Sequence, residues 1–212
     1  MSRWRILDAA REVFFRDGFV NANLDEVAVK SGLSKGSIYR HFPNKAALYV
    51  RVLLQTSQDF TEGYARRAAA SNEQPALERI LDLARYYLDY WIENPNQLRI
   101  YWALDNEMLI GELPPELVSQ VEQAWSQNLA VLKRVIDEGV QRGELIKTDS
   151  ENLSYALWVL ATSIIEQDSR GSRKRVRGST LEAAYFTAIE LMVRGALDPD
   201  SRAARAPSTL HA

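Results

Sequence analysis

Cysteine is absent from this chain, which excludes disulfides and thiolate metal sites, and histidine is nearly absent. The two histidines, His41 and His211, are too far apart for metal-ligand spacing. Neither belongs to a Glu-x-x-His pair, so the metal chemistry that helical bundles can host lacks its ligands. No Gly-rich phosphate loop, cysteine nucleophile or Ser/His/Asp set is present either. An enzyme is not expected, and neither is a metal or other cofactor. The longest apolar stretch, residues 155–165, is too short to span a bilayer even when Thr162 and Ser163 are counted. The opening MSRWRILDAAREVFF interrupts its apolar residues with charges, unlike the core of a signal peptide. A cytoplasmic protein follows as the expectation.

Strand-like alternation is also missing, and the fold class expected is all-α. Breaks at 72–75, 94–95, 111–115, 143 and 171–178 delimit about nine helices. These are expected near 3–17, 24–31, 35–42, 44–70, 76–93, 96–110, 115–142, 149–169 and 179–196, with Asp149 or Ser150 capping the eighth. The 212 residues, 46% of them hydrophobic, suffice for a small domain and a larger helical one. Net charge is −2, unevenly spread: residues 1–55 hold nine Lys and Arg against five Asp and Glu, leaving a surplus of six acidic groups in the rest. Positive charge is thus concentrated at the N-terminal end, where a nucleic acid would be met.

Within that end, NLDEVAVKSGLSKGSIYRHFPNK (residues 23–45) reads as two short helices joined by a glycine turn. Asn23 can cap the first, with Glu26 three residues on completing a capping box. Leu24, Val27 and Ala28 form its apolar stripe. Gly32 ends it, and Leu33 drops an apolar side chain between the two helices. Ser34 caps the second helix, whose Ile38 and Phe42 face the core. The opposite side carries Gly36 and Arg40, flanked by Ser37 and Tyr39, with Lys35 in the first turn. This outer face has the residues a recognition helix needs: a cation, a close-approach glycine, a short hydroxyl and an arginine able to reach a guanine or a phosphate. Pro43 stops the helix, and Asn44 caps the next. Lys45 places a cation at a positive helix end, a cost that a bound phosphate would offset.

Residues 3–48 resemble the DNA-binding domain of the TetR family of bacterial transcriptional regulators: IL-DAA-REVF ahead of Gly18-Phe19, then LDEVA, SGLSKGSIYRHF and NKAAL. The resemblance implies that Lys35, Gly36 and Ser37 approach bases, that Tyr39 and His41 hold phosphates, and that Lys45 clamps the backbone. Asn23 stands where Thr or Ser is more usual, keeping the cap while altering a phosphate contact. With Arg40, these make up the expected DNA-binding set. Residues 1–48 are the expected DNA-binding domain, 49–197 an effector-binding and dimerisation domain, and 198–212 a flexible tail.

The resemblance also implies a homodimer bound to double-stranded operator DNA and released by a small-molecule effector. The effector's identity is not encoded in any residue, and a repressor is implied by family alone, with an activator as the alternative. The last two helices are apolar enough to pair with a second copy through Leu153, Leu157, Leu160, Ile164, Tyr185, Ala188 and Met192. Effector-pocket candidates are Tyr87, Trp91, Trp102, Asn106, Glu107, Trp125, Asn128 and Glu166, rings with polar tips plus a few orienting groups. The run Arg170, Arg173, Lys174, Arg175, Arg177 reads as a solvated loop. The rival reading is a helical adaptor that keeps the helix-turn-helix for packing, against which the outward Lys35, Ser37, Tyr39, Arg40 and Lys45 all argue.

Overall fold

The computed structural model describes residues 2–95, 97, 113–169 and 174–199. Among them are eight helices: α1 Ser2–Asn21, α2 Leu24–Ser31, α3 Lys35–His41, α4 Lys45–Ala70, α5 Ala76–Glu93, α6 Pro115–Gln141, α7 Ser150–Ser169 and α8 Leu181–Gly195. The helix expected at 96–110 lies outside the described residues, as do the pocket candidates Trp102, Asn106 and Glu107. The described part matches the all-α expectation, and no helix in it is long and apolar enough to cross a membrane.

The chain divides into two compact units. The first takes residues up to Thr61 and the described residues of Trp91–Ser126; the second takes Glu62–Tyr90 and the described residues of Gln127–Ala212. The expected boundary at residue 48 therefore falls inside α4. In the first unit Ile6, Ala10, Val13 and Phe14 of α1 pack with Leu24 and Val27 of α2, Ile38 and Phe42 around α3, and Leu48, Tyr49 and Val50 of α4. The Tyr49 ring meets Phe14 and Phe19 edge-on, with centroids 4.9 and 5.0 Å away. Leu33 packs partly buried against this core, and so do Leu117 and Val121, fully buried on α6. That contribution from α6 is absent from the sequence reading. Arg51 of α4 fastens it, donating to Gln120 Oε1 at 2.6 Å.

In the second unit α7 and α8 pack against each other, and the buried rows are Leu157, Ala161, Ile165 and Tyr185, Ile189, Val193. The four-residue spacing of each row is that of one helix face. Asp149 caps α7, its Oδ1 accepting from the backbone N–H groups of Glu151 and Asn152, each at 3.0 Å. The segments flanking α6 and α8 are pinned by a single antiparallel bridge between Leu145 and Leu197. Ile146 N–H donates to Ala196 O at 2.9 Å beside it.

A buried arginine holds the α4–α5 corner. Arg79 is 1% exposed and donates to Glu138 Oε2 at 2.6 Å and to Asn72 Oδ1 at 3.0 Å. It joins α5, α6 and the loop after α4. Removing the cation would strand a partly solvated carboxylate in an interior site, and breaking such pairs costs about 3–5 kcal/mol. Arg79→Ala should lower the unfolding free energy by about 3 kcal/mol, the lower end because Glu138 keeps some solvent; urea denaturation measures it.

Candidate nucleic-acid interface

The helix-turn-helix is built from the local signals that define its ends. Asn23 Oδ1 accepts from Asp25 N–H at 2.8 Å, so Asn23 is a true cap of α2. The expected capping box is not formed. Glu26 turns instead to Arg16 of α1, whose guanidinium makes two hydrogen bonds to it, at 2.6 and 2.8 Å. A bidentate charged pair outcompetes a single bond back to the cap, and it holds the Glu26 carboxyl below its usual range. Lys30 binds Glu12 at 2.8 Å, a second tie between α2 and α1. Gly32 adopts the left-handed conformation, φ 65°, and the Arg5 guanidinium occupies the space a Cβ would need. The left-handed backbone is what favours glycine at this turn, since the exposed Arg5 side chain could move aside.

α1 itself bends at Gly18, φ 74°, before a further turn that reaches Asn21. The break falls one residue beyond the end expected at 17. Ser34 Oγ accepts from Ser37 N–H at 3.2 Å and starts α3, and Phe42 in extended conformation ends it. Asn44 Oδ1 accepts from Ala47 N–H at 2.7 Å and starts α4.

These caps fix the outer face of α3. Lys35, Gly36, Tyr39, Arg40 and His41 are exposed, and Ser37 is half-buried. Arg40 folds back to donate to Ser37 Oγ at 2.7 Å, while the Ser37 and Ser34 hydroxyls share a hydrogen bond of 3.0 Å. Arg40 is therefore held along the helix. Lys35 Nζ lies 3.0 Å from Asp25, a partner that sequence reading missed because it sits ten residues away across the turn. Lys45 also differs from expectation. Its Nζ donates to Val20 O at 3.1 Å and lies 5.1 Å from the centre of the Phe19 ring. Desolvation there pulls its pKa below the usual lysine range. The carbonyl takes up one donor of the ammonium without cancelling its charge, so the place of Lys45 at the α4 start does not by itself require a phosphate.

The residues from 6 to 52 match the sequence model of the bacterial regulatory proteins of the tetR family. The chain belongs to the TetR family. It is 28% identical over 183 residues to the HTH-type transcriptional regulator RutR of Escherichia coli K12, covering 85% of this chain and 81% of that one. A TetR-family transcriptional regulator from Pectobacterium atrosepticum is 25% identical and superposes with a TM-score of 0.66 over 92% of this chain and 93% of its own. FadR from Bacillus subtilis, a transcriptional regulator solved in complex with stearoyl-CoA, shares the fold at 19% identity, with a TM-score of 0.68 over 91% and 98% of the two chains. As a TetR-family regulator the chain meets DNA through its helix-turn-helix.

The other expected sites are distributed differently. Trp91, 5% exposed, stacks on Phe60 at 5.8 Å, and Trp125 packs against the core of the DNA-binding unit. Both belong to the first unit. Tyr87, Asn128 and Glu166 belong to the second. Tyr87 shares a 2.8 Å hydrogen bond with Thr162, and Asn128 Oδ1 is buried with no hydrogen-bond partner among the described residues. Burial holds the Tyr64 and Tyr185 phenols well above their ordinary pKa, so both stay protonated. Of the dimer candidates, Leu157 and Tyr185 are buried in the chain's own core, and Tyr185 donates to Ala84 O at 3.0 Å. These two are corrected: neither is on offer to a second copy. Leu153, Leu160, Ile164, Ala188 and Met192 are half-buried. The exposed large apolar side chains described on α7 and α8 are Tyr155, Val159 and Leu191. Of the basic loop, Arg170 and Arg173 lie outside the described residues, while Arg177 pairs with Asp168 and donates to Ser179 O at 2.7 Å.

Gly36 offers the sharpest test of the interface in this TetR-family chain. A Cβ there would meet only Ser34 Oγ at 3.9 Å, an ordinary contact, so the fold itself does not need glycine. Glycine within a helix costs about 0.5–1 kcal/mol relative to alanine. Gly36→Ala should leave the free protein equally or up to about 1 kcal/mol more stable, yet weaken operator binding by at least tenfold, about 1.4 kcal/mol. Thermal melting and a binding titration on the same preparation measure the two effects.

Proposed function

We propose that this chain is a homodimeric, effector-controlled repressor that occupies an operator through α3 and leaves it when a small molecule binds its second unit. The observation that carries the reading is the exposed face of Lys35, Gly36, Ser37, Tyr39 and Arg40, in which the glycine answers no demand of the fold. In this reading Lys35, Gly36 and Ser37 meet base edges. Tyr39, His41 and Lys45 contact phosphates, with Asn23 beside them at the α2 cap. Lys45 exchanges the Val20 carbonyl for a phosphate. The protein works in the cytoplasm, catalyses nothing and carries no cofactor.

Support for effector control comes from α6. Its Leu117 and Val121 belong to the same buried core as Ile38 and Phe42, and Asn128 follows Val121 by seven residues, about 10 Å along the same helix. A ligand that satisfies the buried Asn128 Oδ1 in one position of α6 better than in another shifts the population of DNA-competent molecules by that difference in affinity. Tyr87 and Glu166 are the other described candidates for the ligand site, and FadR with its stearoyl-CoA is a precedent for a ligand in this fold. Support for the dimer comes from Tyr155, Val159 and Leu191, exposed at 56, 38 and 67%. A second copy covering them would also present two α3 helices to half-sites about one turn apart, roughly 34–36 Å.

Two experiments test the reading. Selection from a random duplex pool should yield a two-fold symmetric motif, and Lys35→Ala or Ser37→Ala should alter preference at particular positions of it. Enrichment of no motif, with weak salt-sensitive binding alone, contradicts sequence reading. Leu191→Asp should convert the dimer to a folded monomer in sedimentation and abolish binding to the symmetric motif. A dimer of unchanged affinity removes that face from the interface.

A further inference from the structure

The positive face of the helix-turn-helix contains one acidic side chain whose position no packing demand explains. Asp25 lies in the first turn of α2, and its backbone N–H, not its carboxylate, takes part in the Asn23 cap. The carboxylate points outward and accepts from Lys35 Nζ at 3.0 Å, with the two side chains 65 and 45% exposed. A pair this exposed adds little to stability. What it does change is the charge that Lys35 presents.

We propose that Asp25 is a specificity-determining positioning residue, holding the Lys35 ammonium so that it is withheld from phosphates and kept available to a base edge. The inference rests on the reading of Lys35 as a base contact. In a sequence-independent complex the cations gain by meeting phosphates and releasing counterions. If Lys35 joins that set it either leaves Asp25 or draws the carboxylate up to a phosphate, and in both cases a negative charge is set against the DNA backbone. The penalty is the same for every sequence. At a cognate site no such exchange is needed. An ammonium has three donors, so Lys35 can keep Asp25 and still donate to the O6 and N7 acceptors of a guanine. Asp25 thus weakens the non-specific complex more than the specific one, and it restricts a long flexible side chain to one direction. The neighbouring cations are arranged differently. Arg40 leans on the Ser37 hydroxyl and Lys45 on the Val20 carbonyl, neutral partners that neither cancel the charge nor repel a phosphate.

The test is a double-mutant cycle on the full-length protein with Asp25→Asn, Lys35→Ala and the pair. Each protein is titrated with the selected operator and with a random duplex across a range of salt, after melting curves establish that it is folded. Asp25→Asn should tighten random-duplex binding about 3- to 10-fold near 0.1 M salt. It should also steepen the dependence of log K on log salt by about 0.9, the signature of one more neutralised phosphate. Operator affinity should stay within about twofold, so the specificity ratio falls. In the Lys35→Ala background the same substitution should leave that ratio unchanged. An equal gain on both duplexes, or an equal fall in ratio in both backgrounds, reduces Asp25 to general repulsion and overturns the proposal. If Lys35→Ala alone leaves operator affinity and base preference intact, the base-contact reading fails first, and the inference with it.

Discussion

A seven-residue helix cannot hold itself folded in water, and every feature of the DNA-binding unit follows from supporting one. α3 contributes a single buried side chain of its own, Ile38, with Phe42 at its C-terminal end. Its direction is therefore set by the core those two residues join, to which α1, α2 and the start of α4 also contribute. The charged ties between α1 and α2, Arg16 to Glu26 and Lys30 to Glu12, brace the floor of that socket from outside. Such exposed pairs are individually weak. Their role here is to limit how the two helices slide, while burial supplies the free energy.

The same dependence links reading to regulation. Leu117 and Val121 of α6 belong to the core that α3 joins, and in the proposed reading α3 responds to this helix, whose residues 127–141, about four turns, belong to the second unit. Close-packed cores respond to small shifts by changing between discrete packings. Arg51, bonded to Gln120, carries the constraint from α6 to α4. The proposed effector site needs no separate relay, since one helix contributes residues to both units.

How much of this was legible in the sequence follows from how far apart the interacting residues lie. The helix-turn-helix was readable because its determinants are local: the Asn23, Ser34 and Asn44 caps, the Gly32 turn and the four-residue spacing of Ile38 and Phe42. Glu26 went wrong for the same reason, since a local cap was favoured over a partner ten residues back. The unit boundary was invisible because Leu117 and Val121 read as one more apolar stripe, with nothing to say which core they enter. On α7 and α8 the apolar residues go most of the way round. Periodicity therefore could not distinguish the inward Leu157 and Tyr185 from the outward Tyr155, Val159 and Leu191. The Arg79–Glu138 pair, 59 residues apart, left no trace in the sequence at all.

The central claim, that α6 helps to aim the recognition helix, is tested most directly by the operator affinity of Val121→Ala, measured well below the variant's melting temperature. Truncating a fully packed aliphatic residue leaves a cavity that neighbours fill only in part, and the account predicts that α3 loses its alignment, with operator affinity falling about tenfold or more while random-duplex binding holds. A variant that is merely less stable, and binds the operator as tightly as the parent, would contradict it.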